Sequence, residues 1–154
     1  MPAETESIGF SGKGGTVSIS TDGGTTYTEI KQLKDVKPSG SKANYDNITN
    51  LSSPGNAEEF IPLTVNSGTV TLTVISNPLD AGQTALLAAF QAQTKLKVEV
   101  QYPTVGTQTT GLLKTFSAYV SSVPMPSMGV SNASTFDAEL TISGLITDTP
   151  GTTA

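Results

Sequence analysis

Two pairs of neighbouring carboxylates are the first candidates for chemistry in this sequence. Glu58 and Glu59 are adjacent, whereas Asp137 and Glu139 are separated by one residue. Paired carboxylates are the groups that glycoside hydrolysis requires. Asp137 and Glu139 alternate with apolar residues, which is typical of the solvent-facing side of a half-buried strand. We therefore expect neither pair to be catalytic.

The sequence contains neither histidine nor cysteine. Without histidine, the serines lack their usual general base, and the commonest metal ligand is missing as well. Without cysteine, neither a disulfide nor a thiolate metal site can form. The composition therefore predicts a protein that is not an enzyme and that uses no metal or other cofactor.

Two glycine-rich segments suggest ligand sites only superficially. In residues 9–16, Lys13 is followed by glycine, the glycine spacing departs from the phosphate-loop pattern, and a strand pattern follows instead of a helix. Residues 22–24, Asp-Gly-Gly, lack the series of acidic ligands of a calcium loop and predict a hairpin turn. Neither segment predicts a nucleotide or calcium site.

The chain has a net charge of −5, and all eight of its basic residues are lysines. Tight phosphate binding normally uses arginine and a basic patch, so this composition disfavours nucleic-acid binding. No run of 18 apolar residues is present, which disfavours a membrane-spanning helix. Residues 1–10 lack the basic start and apolar run of a signal peptide, and we expect a chain that is cytoplasmic when made.

Residues 77–93 are the one stretch that predicts a helix, at about residues 80–93. Asp80 can cap the first turn, and Gln83 stands at the capping-box spacing from it. The rest of the sequence consists of predicted strands and turns.

The predicted helix has an apolar stripe and an alanine-rich side. Leu86, Leu87 and Phe90 fall within one narrow sector, and we expect all three in the core. On roughly the opposite side lie four alanines: Ala85, Ala88, Ala89 and Ala92. They reflect either simple helix propensity or a second, shallow contact face towards a neighbouring molecule.

The remaining chain alternates apolar residues with threonine and serine, which is the pattern of half-buried strands. The clearest examples are residues 69–75, 96–102, 112–120 and 136–146. This pattern predicts one domain of mainly β class: a β-sandwich or partly closed barrel of six to eight strands with one flanking α-helix.

Three regions lack the alternation. We predict an N-terminal arm at residues 1–15, a polar C-terminal tail at residues 148–154, and a long loop at residues 44–60 within a domain that covers residues 16–147. A loop of this length inside a compact domain is usually functional or becomes ordered on binding.

Several segments, in their order and spacing, resemble the major tail tube proteins of long, flexible-tailed bacteriophages, the group that contains the phage lambda tube protein. The resemblance covers about residues 10–147, and its pieces are residues 30–38, 45–62, 67–72, 83–90, 116–123 and 141–144. The chain ends near Ala154, whereas the lambda protein carries an appended immunoglobulin-like domain, so we expect no surface-adhesion role of that kind.

The resemblance implies a structural protein whose hexameric rings stack into a tube through which DNA passes without specific binding. It implies a fold shared with contractile-tail and type VI secretion tubes. The implied partners are further copies of the chain, a tape measure protein, and tail terminator and distal tail proteins, with no membrane. The implied location is the virion tail, after assembly in the host cytoplasm.

Residues 44–60 match the long loop of this family, so we expect them to form a contact between subunits or between rings. The candidate residues are Thr49, Leu51, Ser53, Pro54, Gly55, Glu58, Glu59 and Phe60. Two alternatives remain. One is a type VI secretion-like tube subunit. The other is a carbohydrate-binding or adhesin β-sandwich, which the absence of tryptophan and the presence of only five phenylalanines and four tyrosines disfavour.

The acidic excess also predicts the character of a tube lumen. Lys95, Lys97 and Glu99 share one face of their predicted strand, and Asp137 and Glu139 share a face of another. We expect a lumen that is negative or nearly neutral and rich in threonine and serine, because contacts with phosphate would slow the passage of DNA.

Overall fold

The computed structural model describes residues 11–153, so the first ten residues of the predicted N-terminal arm lie outside the described part. Within that range there are eleven strands and one helix. Eight strands have five or more residues, in agreement with the predicted six to eight. The elements are β1 (Thr16–Ser20), β2 (Thr28–Glu29), β3 (Leu33–Pro38), β4 (Lys42–Asn47), β5 (Phe60–Asn66), β6 (Thr69–Ile75), α1 (Ala81–Ala92), β7 (Leu96–Gln101), β8 (Gln108–Thr110), β9 (Leu113–Ser122), β10 (Thr135–Thr149) and β11 (Thr152–Thr153).

Seven strands form one antiparallel sheet in the order β2-β1-β7-β9-β10-β6-β3. Its two edge strands, β2 and β3, are joined by residues 30–32 alone. In a flat sheet the edges would lie about 29 Å apart, whereas this link spans at most about 14 Å. The sheet is therefore rolled but not closed into a barrel, and the prediction of a mainly β fold with one flanking helix is confirmed.

The core lies inside the rolled sheet. Apolar side chains alternate along each strand, and the antiparallel register brings them into rows, as where Leu72 lies opposite both Val36 and Ala138. The buried apolar residues of the sheet are Val17, Ile19, Val70, Leu72, Val74, Leu96, Val98, Val100, Phe116, Ala118, Val120, Ala138, Leu140 and Ile142. The alternation in the sequence thus produces a single apolar interior.

Helix α1 packs on this core through a narrower face than predicted. Leu86 and Ala89 are buried, and Phe90 is half-buried against the core. Leu87 is 44% exposed, so its predicted place in the core is wrong. The buried face is centred on Gly82, Leu86 and Ala89, which turns Leu87 to the edge of the contact. Ala89 is buried against the core, so it cannot belong to the second contact face that the four alanines of the helix suggested.

The first turn of α1 connects the helix to the link between the two edge strands and to the end of β6. The Asp80 carboxylate caps it as predicted, accepting from the Gln83 backbone N–H at 3.1 Å and from that of Lys31 at 3.3 Å. The Gln83 side chain does not complete a capping box. Its Nε2 donates to the carbonyls of Lys31 and Ile75 at 3.2 and 3.0 Å, and its Oε1 accepts from Asn77 N–H at 2.9 Å. A buried amide needs all of these partners.

Gly82 permits this close contact. A Cβ atom at Gly82 would lie 2.3 Å from the carbonyl oxygen of Glu29 and 2.8 Å from Cα of Ile30. Both are backbone atoms that cannot move aside easily, so the helix can approach the link between β2 and β3 only with glycine at this position.

The predicted C-terminal tail is wrong for most of its length. Strand β10 continues to Thr149, and Asp148 accepts a hydrogen bond from Lys114 Nζ at 2.9 Å. Strand β11 pairs with β8, and the hydroxyls of Thr110 and Thr152 hydrogen-bond across that pair. These strands are mostly exposed, so they lack the apolar alternation by which the sequence predicts strands.

Helix α1 has 12 residues, and residues 11–153 contain no helix that is long and apolar enough to cross a membrane.

Leu86 is buried and the adjacent Leu87 is largely exposed, and this difference gives a direct test of how the helix is oriented on the core. Leu86→Ala should destabilise the monomer by about 2–5 kcal/mol, because it leaves a cavity in the core. Leu87→Ala should cost less than about 1 kcal/mol, because half of that side chain is already in water and alanine is the better helix former. Urea unfolding followed by circular dichroism measures both. Equal losses for the two variants would contradict the observed orientation.

Candidate assembly surface

Strands β4 and β5 form a hairpin arm, residues 42–66, that is separate from the rolled sheet. They pair only with each other within the described residues, and every residue of both strands is exposed. An isolated two-stranded hairpin is at best marginally stable in water. The predicted loop at residues 44–60 is therefore wrong at both ends: it is the tip of an arm, and the connection between the strands is residues 48–59.

One face of the hairpin arm is apolar although nothing in the described chain covers it. Ile61, Leu63 and Val65 alternate along β5 and so share a face, and Ala43 lies opposite Val65. All three β5 side chains are exposed. In the sequence this alternation is obscured because Phe60 and Pro62 occupy the other face of the strand, and proline is confined to edge strands and bulges.

The tip of the arm is closed by its own hydrogen bonds. Thr49 Oγ1 accepts from the Glu59 backbone N–H at 2.8 Å. Ser53 Oγ donates to Glu59 Oε2 at 2.6 Å and accepts from the Asn50 backbone N–H at 3.0 Å. Gly55 has a φ of +64°, the left-handed conformation that glycine adopts without strain. The tip is thus a defined turn.

The structure brings the sequence-predicted site residues together in this tip. Thr49, Ser53 and Glu59 are used in its internal hydrogen bonds. Leu51 is fully exposed, and Glu58 is exposed as well. Phe60, the first residue of β5, is also exposed, and Pro54 and Gly55 complete the turn. Hydrogen bonding within the tip therefore leaves Leu51 and Pro54 free to contact another molecule.

The root of the arm is tightly built. Ser39 N–H donates to the Thr69 carbonyl at 2.8 Å, and Thr69 N–H donates to Ser39 Oγ at 2.8 Å. Gly40 and Gly68 have φ values of +91° and +85°, and a Cβ at Gly68 would lie 2.4 Å from the Gly40 carbonyl oxygen. Glycine is therefore required where the chain leaves the sheet for the arm and returns.

The outer face of the rolled sheet is polar. Asp137 and Glu139 lie opposite Thr73 and Thr71, and both are exposed, which agrees with the predicted solvent-facing side. Further outward residues are Ser18, Lys97, Glu99, Ser117, Thr69, Thr141 and Ser143. The outer face of the sheet is therefore rich in threonine and serine, and it carries more carboxylates than lysines.

Two titrating groups at one corner of this face have shifted pKa values. Hydrogen bonds from the Ser20 hydroxyl and the Thr26 backbone N–H lower the pKa of Asp22 to about 2. Burial, and then the nearby Glu99 carboxylate, raise the pKa of Tyr27. Asp22 therefore fixes the predicted hairpin turn between β1 and β2. In residues 11–153, no group of three or more carboxylates is placed to hold a metal ion.

An apolar groove of about 400 Å³ lies at the other end of the sheet from the arm. It is formed by the start of α1 and by the segment after β9, and it includes Pro78, Leu87, Pro124, Met125 and Phe136. No charged residue lines it. Leu87, which lies outside the core, is thus one of the residues that line this groove.

Comparison with known proteins gives consistent results. The model of the family described as phage tail tube protein, TTP, matches residues 3–150. Among solved structures, the tail of an empty gene transfer agent particle has a TM-score of 0.70 at 14% identity, covering 92% of this chain and 99% of that one. None of the curated proteins matches the sequence.

Two further solved structures are similar. The tail tube of SPP1 has a TM-score of 0.65 at 17% identity, covering 91% of this chain and 78% of that one. The sheath-tube complex of an extracellular contractile injection system has a TM-score of 0.60 at 16% identity, covering 88% of each chain. At these identities the likeness concerns the fold.

Proposed function

Because this chain belongs to the phage tail tube protein family and is a structural tail tube subunit, we propose that it forms hexameric rings that stack into a tube for the passage of DNA. The gene transfer agent tail that shares its fold is described with sixfold symmetry. The role is structural and involves no catalysis. Assembly takes place in the host cytoplasm, and the product is part of the virion tail.

The hairpin arm is the observation that carries this proposal. A two-stranded ribbon with an uncovered apolar face gains its stability from a further surface. The rolled sheet of the same chain does not supply that surface, because β4 and β5 are exposed along their whole length. Other copies of the chain are the partners that a tube provides, and the arm is then buried between subunits or between rings.

The open edges of the rolled sheet support ring formation. Strand β3 pairs with β6 on one side, and no other described strand pairs with it. An unpaired edge exposes backbone donors and acceptors that join readily to another chain. A ring of identical subunits satisfies every such edge by the same contact, repeated until the ring closes.

The likeness to tail tubes supports further partners in the proposal: terminator and distal tail proteins at the ends of the tube, and a tape measure protein. Among the structures that share the fold are a tube-terminating cap and a sheath/tube terminator. The family match favours a phage tail over the type VI secretion tube and over a carbohydrate-binding sandwich.

The apolar face of the arm gives the first test. Leu63→Ser should prevent tube formation by the purified protein while leaving the monomer folded, because it removes apolar area only where a neighbour packs. Thr64→Ser, the next residue on the opposite face, is the matched control and should still form tubes. Negative-stain microscopy reports tubes, and circular dichroism reports folding. Normal tubes from Leu63→Ser would count against the arm as a contact.

Shortening the tip gives a complementary test of the candidate residues. Deleting residues 53–57 removes the apex and also the Ser53–Glu59 hydrogen bond, but touches no part of the rolled sheet. We expect a folded monomer that no longer forms tubes. Unimpaired assembly of the deleted chain would show that the tip is dispensable.

The outer polar face is the surface best suited to the lumen. Its threonines, serines and carboxylates present neither a basic patch nor an apolar trap to DNA, and screening limits the influence of each charge to about 8–10 Å. We expect Asp137 and Glu139 to face the channel and Lys97 to be balanced by Glu99. A structure of the assembled tube decides this, and a ring of unpaired lysines around the axis would contradict it.

A further inference from the structure

The arm and the apolar groove lie at opposite ends of the same pair of strands. The arm leaves the sheet beside Thr69, the first residue of β6. The groove begins at Ser76, immediately after β6 ends, and Phe136 at the start of the antiparallel strand β10 lines it. The seven residues of β6 separate the two features by about 20 Å.

The two features match in chemistry. The apex of the tip, residues 48–57, contains no charged residue and exposes Leu51 fully, whereas the two carboxylates of the tip, Glu58 and Glu59, lie where the chain enters β5. The groove has no charged lining, and residues 123–134 beside it are uncharged as well. Burying uncharged surfaces against each other avoids the desolvation cost that a charged partner would impose. Most other outward surfaces of the sheet carry lysines or carboxylates.

Exposed apolar side chains lie in the segment that lines the groove and just after it in the chain. Met125 is 89% exposed, and Met128 and Val130 in the same segment are also fully open to solvent. Methionine is flexible and polarizable, and it is common on surfaces that adapt to a partner. Exposed apolar residues that cluster beside a groove mark an interaction site more often than isolated ones do.

We propose that the groove between α1 and residues 123–126 receives the arm tip of a second copy of this chain, with Leu51 entering beside Leu87 and Met125. The inference rests on the proposed tube function and names the receiving surface that the function leaves open. A tip at one end and a receptor at the other make a head-to-tail contact. Such a contact does not close in a dimer but continues from copy to copy, and the placement of the tip and the groove at opposite ends of β6 favours continuation along an axis.

Cross-linking tests the contact directly, because the chain has no cysteine of its own. Tubes are grown from wild-type chain mixed with equal small amounts of Leu51→Cys and Met125→Cys, so that wild-type copies maintain assembly. A short bis-maleimide cross-linker is then added, and dimers are resolved on a denaturing gel. We expect a dimer that contains one copy of each variant and that is absent from the same mixture kept unassembled.

Thr25→Cys provides the matched control for the receiving site. Thr25 is exposed in the turn after β1, at the same end of the sheet but outside the groove. Replacing Met125→Cys by Thr25→Cys in the mixture should largely abolish the dimer. Equal dimer formation through both positions would overturn the assignment of the groove.

The outcomes separate this inference from the proposed function. Tubes that form normally but give no Leu51–Met125 dimer overturn the groove as receptor and leave the tube function standing. Failure of the wild-type chain to form tubes contradicts the proposed function, and the inference falls with it. An independent check is Met125→Glu, which should reduce tube formation sharply because it places a charge in the contact, whereas normal tubes from it would also overturn the inference.

Discussion

The three-residue link between the edges of the sheet is the constraint on which the rest of the structure depends. Because residues 30–32 join strands that a flat sheet would hold far apart, the sheet must roll. Asp80 and Gln83 fix the link by hydrogen bonds to the backbone of Lys31, and Gln83 also reaches Ile75 at the end of β6. The helix therefore holds the link to the end of β6 by hydrogen bonds, and it also covers the core.

This closure determines what remains for assembly. Most apolar side chains of the sheet are buried inside the roll, and its outer face is largely polar, with Tyr119 and Leu145 as exposed exceptions. Most of the other exposed apolar groups lie on the hairpin arm at one end and around the groove, including Met125, at the other. A subunit with a stable body and unsatisfied apolar surface at two ends is suited to repetition along an axis.

Much of the fold could be predicted from the sequence, because strong alternation marks strands with one buried face; β6 and the inner residues of β10 are examples. The hydrogen bonds of Gln83 to Lys31 and Ile75 could not be predicted, since capping-box spacing permits several partners for Gln83 and only the tertiary fold selects them. The arm was mistaken for a loop because β4, Lys42–Asn47, is rich in asparagine and exposed on both faces. The family resemblance led us to expect a contact through the residues of the tip, and that contact stays a prediction, whereas the apolar face beside them was missed.

Hydrogen–deuterium exchange on the monomer and on the assembled tube tests the central claim most directly. If the arm is stabilised by other copies, the backbone amides of residues 42–66 exchange rapidly in the monomer and slowly in the tube, while those of β6 are slow in both. Slow exchange of the arm in the monomer would show that it needs no partner. Rapid exchange in the tube would show that no partner covers it, and either result would contradict the account.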